Sequence, residues 1–202
     1  ILGTAGLTAG LCIEGIENHV AINNLKGIVS GSTGGVGSIA VKLLSSLGAK
    51  VTAITGKKNS AQYLYNLGSS KIIQRENFLN STRLPLSKGI YNAAVDAVGG
   101  DILSAILASM QYNGIITACG NVAGANFATT VFPFILRKNH LIGIDSATCP
   151  ISIREKIWNK FSTSWNLKNL DQIYKVIDLD FLEKEIKKIL CGEQVGRIIV
   201  QL

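Results

Sequence analysis

The residues best placed for chemistry lie in one glycine-rich stretch, Val29-Ser30-Gly31-Ser32-Thr33-Gly34-Gly35-Val36-Gly37-Ser38. It follows a short apolar run, Gly27 to Val29, and opens onto Ile39-Ala40-Val41-Lys42-Leu43-Leu44, which has helical patterning. Strand, glycine turn and helix in that order suit a diphosphate. Glycines let the backbone turn tightly and approach the anion, and the free N–H groups at the helix start point at it. Gly31, Gly34 and Gly37 fall three apart, which departs from the strict G-x-G-x-x-G spacing. The stretch also reads as a glycine-rich turn without a ligand.

A second group of residues bears on which nucleotide such a loop would hold. Domains that prefer NAD carry an acid about 20 positions past the loop, where it holds the ribose 2′-hydroxyl. Here the corresponding strand ends Thr55-Gly56-Lys57-Lys58, with no carboxylate. An acid would repel a 2′-phosphate, whereas a hydroxyl, a turn amide and a lysine would bind it. Arg75, just past the third strand, is placed to close over the same group. The competing reading is a pair of solvated surface lysines. The position directly after the second strand favours the phosphate, and so NADPH over NADH.

Other candidates carry less. Asp96 ends a strand at the carboxyl edge of the sheet, where ligands bind, but a turn-capping carboxylate explains it equally well. The loop spacing also fits short-chain dehydrogenases, which need a Tyr-x3-Lys pair. None of Tyr63, Tyr65, Tyr91, Tyr112 or Tyr174 has a lysine four residues on. His19 and His140 lie far apart with no metal-ligand spacing, and no metal site is expected. Cys12, Cys119, Cys149 and Cys191 form no CxxC pair and read as reduced, buried cytosolic thiols.

Alternating elements must position these residues. A helix over Thr4 to Val20 leads to the strand before the glycine loop. The helix after the loop stops at Gly48, a C-terminal cap residue. Strands are expected at Val51–Thr55, Lys71–Ile73, Ala93–Asp96, Gly114–Cys119 and Leu141–Ile144. Helices fall at Gln62–Leu67 and Ile102–Met110, with a turn-rich patch around Pro85. Strands alternating with helices imply right-handed crossovers and a parallel sheet covered on both faces. Six strands match a Rossmann sheet in number, an α/β fold. Beyond Pro150 a helix (Arg154–Trp165), a strand (Ile173–Ile177), a helix (Phe181–Leu190) and a strand (Gly196–Val200) form a tail suited to pack on something else.

The 202 residues suffice for one or two domains, and 47% hydrophobic content reads as compact rather than disordered. No apolar run reaches the roughly 18 residues of a membrane span. Net charge is +7, with the basic residues dispersed and no aromatic interleaving, so no nucleic-acid or membrane partner is expected. The opening Ile1-Leu2-Gly3-Thr4 has neither an initiator Met nor a charged signal head and reads as the interior of a longer protein.

With these residues in view, the chain resembles the medium-chain dehydrogenase/reductase superfamily, in its zinc-independent acrylyl-CoA reductase and quinone-oxidoreductase branch. The resemblance rests on Gly3-Thr4-Ala5-Gly6-Leu7-Thr8-Ala9, Gly31 to Ser38, Val95-Asp96-Ala97-Val98-Gly99, Ala118-Cys119-Gly120, Thr129 to Arg137 and Gly143-Ile144-Asp145-Ser146. It implies that Thr33, Gly34, Gly35 and Val36 cradle the pyrophosphate and that Thr55, Gly56, Lys57 and Arg75 hold the 2′-phosphate. Asn121, Ile135 and Ser146 would line the nicotinamide-ribose end. Lys57 stands where an arginine is common, which keeps charge but loses a bidentate fork, and Asn121 replaces a more usual apolar residue.

The resemblance further implies residues 1–150 as a Rossmann-type domain with its leading helix. Residues 151–202 would be a tail that normally packs on an N-terminal GroES-like domain, which these residues do not include. Members carry substrate contacts and a catalytic tyrosine on that domain, so no catalytic residue is named. The implied activity is NADPH-dependent reduction of a 2-enoyl-CoA by a cytoplasmic enzyme, a homodimer at full length. Quinone reduction and a non-catalytic NADPH-binding module that needs a partner chain are the alternatives.

Overall fold

Strict alternation in the strands divides the apolar side chains between two faces of one sheet. In the computed structural model, which describes residues 1–165 and 167–202, Val29, Val51, Ala93, Val95 and Ile115 point into one core. Their strand neighbours Ile28, Ala94 and Ile116 point into the other. Strands buried on both faces read as continuous apolar runs, which is why a parallel sheet was legible here.

The sheet has the order β3-β2-β1-β4-β5-β6 and every pairing is parallel. Its strands are β1 (Lys26–Val29), β2 (Lys50–Thr55), β3 (Lys71–Gln74), β4 (Tyr91–Asp96), β5 (Met110–Ala118) and β6 (His140–Gly143). The leading helix α1 (Gly3–Glu17) and α2 (Gly35–Ser46) cover the first face, where α1 supplies Leu7, Ile13 and Ile16 and α2 supplies Ile39, Leu43 and Leu44. Helices α4 (Arg75–Ser81) and α5 (Gly100–Ser109) cover the second through Phe78, Ile102, Leu103, Ile106 and Leu107. The short α3 (Ala61–Asn66) buries Leu64 and ends before Gly68, which has φ +99°. This is the six-stranded, doubly wound Rossmann-type α/β sheet expected from the sequence.

Three details differ from the expectations. The patch after β3 begins with α4, whose seven residues bury only Phe78 and so carry no readable stripe. A four-residue helix, α6 (Phe132–Ile135), precedes β6. β5 starts at Met110 rather than Gly114, passing through Asn113 at φ +59° with a register shift against Tyr91 and Ala93.

The tail contains α7 (Ile151–Ser162), β7 (Tyr174–Asp178), α8 (Leu182–Leu190) and β8 (Arg197–Gln201). β7 and β8 pair in parallel as a separate two-stranded sheet. α7 packs across α1 at Gly10, where an added Cβ would come within 2.6 Å of Ile157 Cγ2 and 3.0 Å of Phe161 Cε2. Lys156 and Lys160 pair with the buried Glu14 of α1 at 2.7 and 3.3 Å, and Trp165 Nε1 donates to Glu17 at 3.1 Å. Glu183 and Lys187, one turn apart on α8, pair at 2.6 Å.

Candidate functional site

The glycine loop runs from the end of β1 to the start of α2. Gly31 takes φ +57°, and its carbonyl accepts the Gly34 N–H at 2.9 Å. A Cβ on Gly37 would lie 2.2 Å from Gly31 O and 2.8 Å from Ser32 Cα, so the first turn of α2 sits directly on the loop backbone. Only glycine permits that approach. With no side-chain cap on α2, its first amides face outward at the positive end of the helix.

The loop is braced from three sides. Ser30 donates to Asp96 Oδ1 at 2.5 Å and accepts the Ala97 N–H at 3.0 Å, while Asp96 Oδ2 accepts the Gly99 N–H at 2.9 Å. Asp96 is fully buried, and that burial pushes its carboxyl above the usual range, outweighing these bonds. Of the two readings open for Asp96, the structure displays the turn cap. It ties the ends of β1 and β4 together where the strand order reverses, the point at which open α/β sheets bind ligands.

The second brace is Thr33, whose carbonyl accepts the Gly196 N–H at 2.8 Å and whose hydroxyl accepts from Lys57 Nζ at 3.1 Å. Lys57 Nζ also donates to Gln194 O at 2.5 Å, and burial holds its ammonium below the usual lysine range. The third is Arg197 on β8. A Cβ on Gly35 would meet Arg197 Cδ at 3.0 Å and Nη1 at 3.1 Å. The guanidinium therefore lies over the loop, and Arg197 Nε reaches Ile1 O at 3.3 Å. The sequence carried no signal for Arg197 or Gln194, because their relation to the loop exists only after the tail folds back.

At the end of β2, Thr55 is buried and its hydroxyl accepts the Lys57 N–H at 3.0 Å, so it shapes the turn. Arg75 lies across that turn: a Cβ on Gly56 would be 3.2 Å from its Cζ and 3.3 Å from Nη2. Gly56, Arg75 and Lys58 are exposed there. Thus the structure brings Thr55, Gly56, Lys57 and Arg75 together, but turns the Lys57 ammonium inward to Thr33 and the tail.

At the other end, a cleft between the carboxyl ends of β5 and β6 is lined by Cys119, Gly120, Asn121, Gly143, Ile144 and Asp145. Ser146 follows this wall, and its hydroxyl lies 2.7 Å from that of Thr8 on α1. Asp145 caps its own loop through the Ala147 and Thr148 amides, and Arg154 binds the carbonyls of Ser146, Ala147 and Cys149 at 2.8–2.9 Å. Asn121 lines this cleft and Ser146 comes one residue past its wall, whereas Ile135 stands on α6, 68% exposed and outside this lining.

The thiols do not all match the expectation of burial. Cys12 is buried, Cys119 and Cys149 are half-buried, and Cys191 is exposed where α8 ends in solvent. His19 and His140 are brought to 5.5 Å between ring centroids. Among the described residues no three His, Cys, Asp or Glu side chains group as metal ligands, and no helix is long and apolar enough to cross a membrane.

Residues 35–163 match the zinc-binding dehydrogenase family. The Bacillus subtilis protein YhfP, whose name assigns it provisionally to the quinone oxidoreductases, is 40% identical over the whole of this chain and 62% of its own. Its structure with NAD bound superposes with TM-score 0.93, covering 99% of this chain and 61% of that one. Acrylyl-CoA reductase AcuI of Ruegeria pomeroyi is 35% identical over all of this chain and 61% of its own. The Escherichia coli YhdH structure with bound NADPH gives TM-score 0.92 at 36% identity, over 98% of this chain and 61% of that one. The chain therefore spans about three-fifths of the length of the relatives it matches.

Proposed function

We propose, given that this chain belongs to the zinc-binding dehydrogenase family, that it holds NADPH as the cofactor-binding part of a reductase acting on a 2-enoyl-CoA of the acrylyl-CoA class. The observation that carries the reading is the Arg75 guanidinium laid across the Gly56 turn, at a strand end with no carboxylate. A planar cation beside a glycine turn binds a phosphate dianion more strongly than it binds a neutral ribose hydroxyl pair. The contact between α2 and the loop backbone at Gly37 supplies the close approach that a pyrophosphate requires.

In this reading Gly34, Gly35 and Val36 present backbone to the pyrophosphate, and Arg197 adds a cation from β8. Gly56 and Arg75 take the 2′-phosphate, while Thr33, Lys57 and Thr55 hold the two turns in register. Asn121 and Ser146 serve the nicotinamide-ribose end, with Arg154 fixing the loop that carries Ser146, whereas Ile135, exposed on α6, has no part in it. Bound NADPH supplies a hydride for the activated C=C bond. The protein's share is to hold that end of the cofactor still, since orientation removes roughly 7–11 kcal/mol of a bimolecular barrier.

Calorimetry with NADPH and NADH tests the reading. NADPH should bind more tightly, and equal affinities or tighter NADH would discard it. Turnover by the full-length polypeptide with acrylyl-CoA against simple quinones separates the substrate classes. The name of the Bacillus relative favours including the quinones. Tight NADPH binding with no turnover of either would favour the binding-module alternative. Exposed Val131, Ile135 and Leu136, just before the edge strand β6, support a homodimer, which light scattering would check.

A further inference from the structure

His19 and His140 are far apart in the sequence, yet the fold sets their rings 5.5 Å apart between centroids, tilted by 48°. His19 follows the last turn of α1, and His140 is the first residue of the edge strand β6. An oxygen pins each ring. The end of α1 leaves carbonyls without their usual amide partners. There the His19 N–H bonds the Ile16 carbonyl at 3.0 Å, and its ring Nδ1 donates to Gly15 O at 2.9 Å. On the neighbouring strand β5, Asn113 Oδ1 accepts from His140 Nε2 at 3.3 Å. A carbonyl oxygen only accepts, so both of these nitrogens carry the proton. His19 Nε2 and His140 Nδ1 therefore keep their lone pairs in the neutral rings.

We infer that His19 and His140 form a two-imidazole site for one divalent transition-metal ion, with water completing its coordination. The span between the rings suits an ion held in common. A ring nitrogen bound at about 2.0–2.1 Å sets the ion about 3.2 Å from the ring centroid. Two such arms spanning 5.5 Å meet at about 120°, close to the tetrahedral angle. The second hydrogen bond of each ring fits as well. Ligating histidines usually give their other N–H to a carbonyl or carboxylate, which fixes tautomer and ring together. Gly15 and Asn113 take that part here. His19 is exposed and His140 half-buried, so ion and water reach both. The carboxyl end of α1 also carries partial negative charge, which favours a cation beside it.

The site lies at the opposite end of the sheet from the proposed cofactor. His140 begins β6, whereas the cleft lined by Asn121 and Ile144 lies at the carboxyl ends of β5 and β6. The ion therefore acts on the frame: it staples the end of α1 to the outer strand. An ion held by two elements that meet only in the folded chain stabilises that chain by mass action. Imidazole suits zinc, copper and nickel, and of these copper(II) binds a given nitrogen site most tightly. No part of this inference rests on NADPH.

Copper(II) is the probe. Accessible thiols are first capped with iodoacetamide, because the exposed Cys191 and half-buried Cys149 compete for the same ion. Calorimetry should then show one copper per chain, and electron paramagnetic resonance should show it bound to two imidazole nitrogens. H19Q and H140Q should each weaken copper binding by about ten-fold or more and leave a one-imidazole signal. Copper should raise the Tm of the capped wild-type protein and leave that of either variant unmoved. Wild-type spectra with one imidazole or none would overturn the inference, and they require no variant to fold. Copper affinity unchanged in H19Q or in H140Q would overturn it equally.

Discussion

The six-stranded sheet and the tail are held by different kinds of contact. Strands β1, β2, β4 and β5 each contribute fully buried side chains on both faces of the sheet, backed by four helices. Residues 151–202 contribute Ile157, Trp165, Ile173 and Ile177 to the buried apolar set, and leave Leu179, Phe181, Ile189 and Leu190 more than half exposed. The tail is seated by Ile157, Trp165 and Ile173, which join the apolar cluster under α1 and α2, and by a short series of polar bonds whose partners are Thr33, Lys57, Glu14 and Glu17. Two of those partners shape the glycine loop. Order in the tail and readiness of the nucleotide site therefore depend on the same few atoms, although the two regions fold on separate sheets.

Four changes separate the regions, taken from the largest expected effect downward. Gly37→Val drives a branched side chain into the Gly31 carbonyl, which is backbone and cannot step aside. We expect loss of both NADPH and NADH binding and destabilisation of roughly 4 kcal/mol, read by calorimetry and urea unfolding. Gly35→Val is the control, because its Cβ meets the mobile end of Arg197. That variant should keep its circular dichroism and still lose cofactor. If it binds NADPH normally, the loop is merely a turn.

Ile157→Ala empties the fully buried contact between α7 and Gly10 of α1. The expected cost is about 3 kcal/mol, confined to the tail. Hydrogen exchange should show residues 151–202 opening while β1 to β5 stay protected. Uniform loss across both regions would mean that they unfold as one unit.

Arg75→Ala acts on the sheet alone. NADPH binding should weaken by about 2 kcal/mol, the scale of a charge-assisted hydrogen bond, and NADH binding should hardly move. Equal losses for the two cofactors would remove Arg75 from the 2′-phosphate.

Glu14→Gln acts on the tail alone and brings in pH. Burial raises the Glu14 carboxyl, but Lys156 and Lys160 outweigh it and hold the group below its ordinary 4.5. A depressed carboxylate contributes stability that is complete above the unfolded value and is lost as pH falls through the folded one. The tail of the native protein should thus loosen as pH drops below about 4.5, ahead of the sheet. The variant should lose about 1 kcal/mol at neutral pH and the acid sensitivity of the tail with it. Tryptophan fluorescence from Trp165, seated on Glu17, would report the step. An unchanged acid transition in the variant would assign the effect elsewhere.

Much of the fold was legible because its signals are local. Gly48 and Gly68 take the positive φ values that end helices, and β-branched runs such as Val51–Thr55 became buried strands. α4 escaped because a seven-residue helix with one buried side chain has no period to read. At the site, Gly31 to Gly37 could be placed from spacing alone, and Arg75 from its distance past β3. Arg197 and Gln194 gave no local sign, since each joins the tail to segments from the first third of the chain.

The sequence by itself determined a parallel sheet, a loop whose glycines leave its backbone open to an anion, and a strand end without a carboxylate. Those are properties of residue type and near spacing, which act before any distant contact forms. Only the tertiary structure decided that Lys57 turns inward, that Asp96 caps a turn, and that Arg197 lies over Gly35. A long side chain has many reachable partners in the unfolded chain. The packing of α7 on α1 and of Gly196 on Thr33 selects which partner each one meets.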